Sequence, residues 1–308
     1  MQKAVRALVF LLLALFFRHG YVSSASVPNI LIVNTQKSAE TEEILMGFFN
    51  AHKDRFFMDE VDMEGAPALG SRRVSEALQN RSYRILFTIG APATQVGIEK
   101  NPGIPLFYSM VVNPENTFSA KSPPPGIVFR IPIKTQLETM QKILPGMKRV
   151  GAVLNPQRSA HLITELKQSC EILGLEPVWI PFQKQQEIPE YLETLYYKRV
   201  DLLLVLPDNT FLNKYSLQGI LQDTLQKKIP TLVYSKNLVQ SGFLLGIYPD
   251  LFQMGKQAAT VISEHLLDQK PLPEIAFPVA CKFSINSKTM EILKIRVPKD
   301  ILRGAELI

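Results

Sequence analysis

Ile104-Pro105-Leu106-Phe107-Tyr108-Ser109 recurs further along the chain, with one residue inserted, as Ile229-Pro230-Thr231-Leu232-Val233-Tyr234-Ser235. Each copy follows another apolar run of strand length, Ile85-Leu86-Phe87-Thr88-Ile89 before the first and Leu202-Leu203-Leu204-Val205-Leu206 before the second. The same pair of runs in the same order predicts two lobes built alike. Open parallel sheets carry their ligands at the carboxyl ends of their strands, so the crevice between two such lobes is the place to look for function.

Outward from the repeat, strand-length apolar runs alternate with helix-length amphipathic stretches, the signature of a parallel α/β sheet. One series of strands is expected at Asn29–Val33, Phe56–Met63, Ile85–Ile89, Leu106–Met110 and Ile127–Ile131. A second is expected at Val150–Leu154, Pro177–Pro181, Leu202–Leu206, Thr231–Tyr234 and Leu244–Tyr248. Most are continuously apolar, as strands covered by helices on both faces are. Helices are expected at Ala39–Ala51, Val74–Gln79, Thr135–Leu144, Ala160–Leu173, Leu212–Gln226 and Leu251–Leu267, the last capped by Asp250. Ser122-Pro123-Pro124-Pro125-Gly126 excludes helix and holds the chain extended, which suits a crossing between rigid bodies. The expected division is residues 26–124 plus 250–272 in one lobe and 125–249 plus 273–308 in the other. A tail that recrosses gives three hinge strands.

The first 25 residues read as an export signal. Lys3 and Arg6 precede the apolar run Ala7 to Phe17, and the small residues Ser23-Ser24-Ala25-Ser26 follow, with cleavage expected after Ala25. That run is well short of the ~20 residues that span a bilayer. With no cysteine near the cleavage point, a lipid-modified terminus is not expected. Removing the leader deletes Lys3, Arg6 and Arg18 and no acid, taking the net charge from +6 to +3. The remaining cations are scattered among acids and do not form a stripe, so nucleic acid is not an expected partner. Cys170 and Cys281 can pair in an exported protein, or stay as buried thiols; nothing in the sequence brings them together.

No metal is expected, because His52, His161 and His265 stand alone on helix patterns without ligand spacing. No phosphate-binding glycine loop and no nucleophile elbow is present, so nothing calls for an enzyme or a cofactor. Polar residues do gather immediately after strands: Asn34, Gly90-Ala91, Ser109 and Asn113 in the first series, then Asn155, Asp208-Asn209-Thr210, Ser235 and Tyr248 in the second. Convergent polar groups on an apolar scaffold make a small-molecule site. The Gly90-Ala91-Pro92 turn can present free N–H groups at a helix start to a carboxylate or another anion. Asp208 can pair with an ammonium, with Asn209 and Thr210 donating and accepting beside it. Arg130 can clamp a carboxylate or stand as a salt-bridged hinge residue. Tyr108 and Tyr234 can offer ring faces or serve as core. Asn, Asp and Ser also cap helices and form turns, and for most of these positions capping competes with ligand contact.

Thr88-Ile89-Gly90-Ala91-Pro92-Ala93, Val112-Asn113-Pro114, Leu144-Pro145-Gly146-Met147-Lys148-Arg149-Val150-Gly151, Leu206-Pro207-Asp208-Asn209-Thr210 and the closing Ile285 to Pro298 together resemble the ABC transporter substrate-binding proteins of the group that includes tryptophan and tyrosine binders. The resemblance spans nearly the whole chain after the leader, in order. It implies the type 1 periplasmic-binding fold, with two Rossmann-like lobes that close over a small molecule and deliver it to an inner-membrane ABC permease. Three departures stand out: Asn113 where the family often has Asp, Arg130 on the crossing strand, and Gln157-Arg158-Ser159 after Asn155-Pro156. The expected protein is therefore a monomeric periplasmic binder of an amino acid or similar polar or aromatic solute. A sensor feeding a signalling partner and a cleft hydrolase or isomerase are the alternatives.

Overall fold

The computed structural model describes residues 29–51, 55–118, 123–181, 187–207 and 213–308. The chain runs β1 (Asn29–Asn34), α1 (Ala39–Ala51), β2 (Phe57–Asp62), α2 (Pro67–Asn80), β3 (Ile85–Ile89), α3 (Ala91–Lys100), β4 (Leu106–Val111), α4 (Pro114–Thr117) and β5 (Gly126–Val128). It continues through α5 (Ile133–Ile143), β6 (Arg149–Leu154), α6 (Ala160–Leu173), β7 (Glu176–Pro181), α7 (Ile188–Tyr197), β8 (Leu202–Val205), α8 (Lys214–Gln226), β9 (Thr231–Val233), α9 (Lys236–Gln240) and β10 (Leu245–Pro249). It closes with α10 (Leu251–Asp268), β11 (Ile275–Ala276), β12 (Cys281–Ile285), α11 (Ser287–Leu293), α12 (Lys299–Gly304) and β13 (Ala305–Leu307).

Two sheets result, ordered β2-β1-β3-β4-β5-β11 and β7-β6-β8-β9-β10-β12-β13. Their first five strands follow the same winding, and the repeated Ile-Pro segment feeds the fourth strand of each, β4 and β9. Among the described residues pairing is parallel except between β10 and β12. The apolar runs β1, β3 and β8 are buried almost throughout because helices cover both faces. In the first lobe α1 sets Ile44, Leu45 and Phe48 on β1 and β3, with the Phe48 and Phe87 rings stacked at 4.7 Å. In the second, α5 and α6 bury Leu137, Met140, Leu162 and Leu166 against β6, β8 and β10.

The lobes are joined where the chain leaves β5, where β10 hands over to α10, and between β11 and β12. The crossings fall later than the expected 124/125 and 272/273. β5 and β11 pair with each other, Ile275 opposite Gly126 and Ala276 opposite Ile127, and this keeps both in the first sheet. The prolines at 123–125 therefore lead into a strand, and the expected strand Ile127–Ile131 ends at Val128, after which residues 129–132 run between lobes. Helix α10 returns to the first lobe and lies on α1. Gly47 and Gly255 let the two backbones touch: a Cβ at Gly47 would stand 2.0 Å from the Phe252 carbonyl oxygen, and one at Gly255 2.0 Å from that of Ile44. Both cysteines are free thiols, Cys170 buried and Cys281 half-buried. Among the described residues no helix is long and apolar enough to cross a membrane, and the leader expected at residues 1–25 lies outside them.

Candidate functional site

Helix α3 begins at Gly90, whose φ of 92° belongs to the left-handed side that favours glycine. Space makes the same demand, since a Cβ there would meet Thr35 Oγ1 at 2.6 Å. Thr35, just beyond β1, donates to the Ile89 carbonyl at 2.9 Å and accepts the Ala93 N–H at 3.2 Å. Pro92 has no N–H. The anion-binding turn expected at Gly90-Ala91 is thus largely capped from within, with Ala91 left to offer its amide, because a threonine from the neighbouring loop reaches across to a helix start that has no capping side chain of its own.

The row Asn34, Ile89, Ser109 crosses β1, β3 and β4 in register. Asn34 donates from Nδ2 to Thr41 Oγ1 at 3.4 Å, while Asn34 Oδ1 and Ser109 Oγ are buried without a partner among the described residues. Just beyond, β4 bulges: Tyr108 pairs with Gly126 and Val111 with Val128, and Met110 takes up the extra residue at φ 62°. Tyr108 is core. Its ring packs on Gly126, and burial pushes its hydroxyl well above the usual tyrosine range.

The bulge delivers Asn113, which spans the crevice. Its Nδ2 donates to the Pro207 carbonyl at 3.0 Å and its Oδ1 meets His161 Nε2 at 3.3 Å, both in the second lobe. Asn116 donates to the Arg158 carbonyl beside it. His161, read from the sequence as an isolated helix residue, is therefore an interlobe contact. The one signal that could have found it is its place at the start of the helix that follows a strand-end loop. On another side of the crevice Lys282 Nζ of β12 reaches Glu43 Oε1 of α1 at 2.6 Å.

In the second lobe the expected polar residues mostly turn inward. Asn155 Oδ1 accepts the N–H groups of Gln157 at 2.9 Å and Arg158 at 3.3 Å, which builds the loop before α6. Ser235 Oγ accepts from Leu238 N at 3.4 Å and caps α9. The Tyr248 hydroxyl lies 2.6 Å from Ser284 Oγ. Asp208, Asn209 and Thr210 lie outside the described residues, directly beyond Pro207.

Arg130 is no free clamp. Its guanidinium donates to Glu165 Oε2 of α6 at 2.5 Å, and Glu165 Oε1 accepts the Ile133 N–H at 2.8 Å. Pro132 has no side-chain donor or acceptor, so Glu165 caps α5 from a neighbouring helix. The carboxylate serves two elements. Beside this pair, Phe129, Arg130, Leu162, Pro207, Tyr234 and Pro249 line a cavity of about 10 Å³, the space of one water. Tyr234 faces it half-buried, and burial raises its hydroxyl pKa.

Two alike lobes, three crossings, and strand-end loops that meet across a crevice define the class of two-lobed solute-binding proteins with the type 1 periplasmic-binding fold. The chain belongs to the ABC transporter substrate binding protein family, whose model matches residues 38–307. Among solved structures it is similar to the ligand-free, open form of CD0873, a substrate binding protein with adhesive properties from Clostridium difficile. That match has 17% identity and a TM-score of 0.70, covering 92% of this chain and 99% of that one. It is also similar to the ABC domain in complex with L-Trp from Streptococcus pneumonia, at 20% identity and TM-score 0.58, covering 91% and 100%. A conserved domain protein from Vibrio cholerae matches at 19% identity and TM-score 0.57, covering 91% and 99%. Comparison with curated proteins finds no match.

Proposed function

We propose that the chain is the periplasmic solute-binding component of an ABC importer, exported by its first 25 residues, and that it holds an amino acid or a similar small polar or aromatic solute between its lobes. The observation that carries this reading is Asn113, a side chain at a strand end of one lobe that hydrogen-bonds to Pro207 and His161 of the other. Hinge closure on a solute works through such contacts: a ligand with higher affinity for the closed form shifts the population toward it, and a permease then receives the load. Asp208, Asn209 and Thr210 follow Pro207 in the sequence, and in this reading they meet the solute together with Asn34, Ala91 and Ser109. No bond is broken. Ser235 Oγ caps its own helix and His161 meets the Asn113 amide.

A thermal-shift screen of amino acids, purines, vitamins and organic acids on the protein tests this, since a compound that binds only the native state raises the melting temperature. At least one compound is expected to do so, and Asp208→Ala is expected to abolish its effect. An unchanged response in that variant would overturn the site.

A further inference from the structure

Arg130 sits where all three crossings meet. It lies in the first, between β5 of one lobe and α5 of the other. Phe277, in the third crossing, places its ring 5.0 Å from the guanidinium carbon, within the range of an attractive cation–π contact. Pro249, from the second, lines the same small cavity as Arg130. The second and third crossings are themselves tied by the Asp250 N–H, which donates to the Ala280 carbonyl at 3.1 Å.

The side chain is 8% exposed and its charge is committed to Glu165. That carboxylate is fixed by α6 and by the Ile133 N–H, so Arg130 is anchored to the second lobe while its open face rests on a ring carried by a segment leaving the first. Arg130 Nε has no partner among the described residues, so the guanidinium is held by one ion pair and one ring face rather than by a full set of hydrogen bonds. A cation on a ring face tolerates sliding, because the attraction depends weakly on lateral position compared with a hydrogen bond. The ion pair does not tolerate it.

We infer that Arg130 is a positioning residue of the hinge: its pair with Glu165 fixes the first crossing to the second lobe, its seat on Phe277 lets the third crossing slide, and together they set how far the lobes open without touching the solute. The inference rests on the proposed hinge closure. Removing the clamp frees the crossings, broadens the ensemble of interlobe angles and lowers the fraction of molecules ready to close. Apparent affinity falls by that fraction.

The test is the interlobe distance distribution of the protein without added compound, measured by electron spin resonance between labels at Glu99→Cys in α3 and Glu171→Cys in α6, with Cys170 and Cys281 replaced by alanine. Arg130→Met is expected to give a distribution roughly twofold wider than that of the parent, with roughly 3- to 10-fold weaker binding of the compound that gives the largest shift in the thermal screen. Phe277→Leu keeps the ion pair and is expected to widen the distribution to a lesser degree, which guards against a folding defect in Arg130→Met. Unchanged widths in both variants overturn the inference, even where melting temperature falls. A screen without a responding compound, beside widened distributions, would instead fail the solute-binding reading alone.

Discussion

Gly90 carries two demands that a sequence shows only in part. Its place after a strand marks a turn, but the reason no other residue fits is Thr35, more than fifty positions earlier, whose hydroxyl occupies the space of a side chain. Gly90→Ala must adopt a strained φ and displace that hydroxyl, which also caps α3. The expected loss is about 2–4 kcal/mol of unfolding free energy in a urea titration, and a loss below about 0.5 kcal/mol would show that Thr35 is not held there. The expected site residues share this limit. Asn155 and Ser235 resolve to turn and cap, the alternatives their chemistry always allowed, because short polar side chains bond first to nearby backbone. Arg130 resolves to an ion pair because Glu165, 35 positions away, enters the picture only when α6 packs beside the crossing.

Strands and helices were far more legible. Helices α1 and α6 match their expected bounds, since amphipathic periodicity and clear flanking turns mark both. Buried parallel strands write themselves as continuous apolar runs. Only the start of α3, at the Gly90-Ala91-Pro92 turn, is legible in the sequence, and α7 is not. A weak apolar stripe hides the rest of α3, whose burial comes from Ala93, Val96 and Gly97 rather than from large residues. The contact between α1 and α10 was equally hidden, being made of two glycines in separate helices. Gly47→Ala gains helix propensity of about 1 kcal/mol, yet its Cβ meets a backbone carbonyl that cannot rotate away. Overlap wins. Gly47→Ala and Gly255→Ala are each expected to destabilise by about 1–3 kcal/mol net, read from the shift in the denaturation midpoint. A stabilised variant would mean that the helices part at no cost.

Across the whole molecule, each lobe buries a group that resists losing its proton. Tyr83 in the first is pushed up to about 12 from an ordinary 10.0, chiefly by burial and by donating to Asp59. Cys170 in the second is pushed up to about 11 from 9.0 by burial. Between the unfolded and folded values the unfolded chain binds fewer protons, so stability falls as pH rises. Stability is expected to be flat with respect to these groups below pH 9 and to drop from about pH 9 to 12, by on the order of 2 kcal/mol for each group. Urea titrations at stepped pH check this, and stability that stays level through that window would contradict the burial of both groups.

What the sequence determined by itself is the architecture: a repeated pair of apolar runs, read with the alternation around it, specifies two lobes of like winding, because burial on both sheet faces leaves an unbroken hydrophobic record. What only the tertiary structure decided is which polar groups remain free to act. Asn113 joins His161 and Pro207, Lys282 reaches Glu43 across 239 positions, and Arg130 spends its charge on Glu165. Such pairings depend on distances between lobes and crossings, and local propensity carries no information about groups that meet only after both cores have formed.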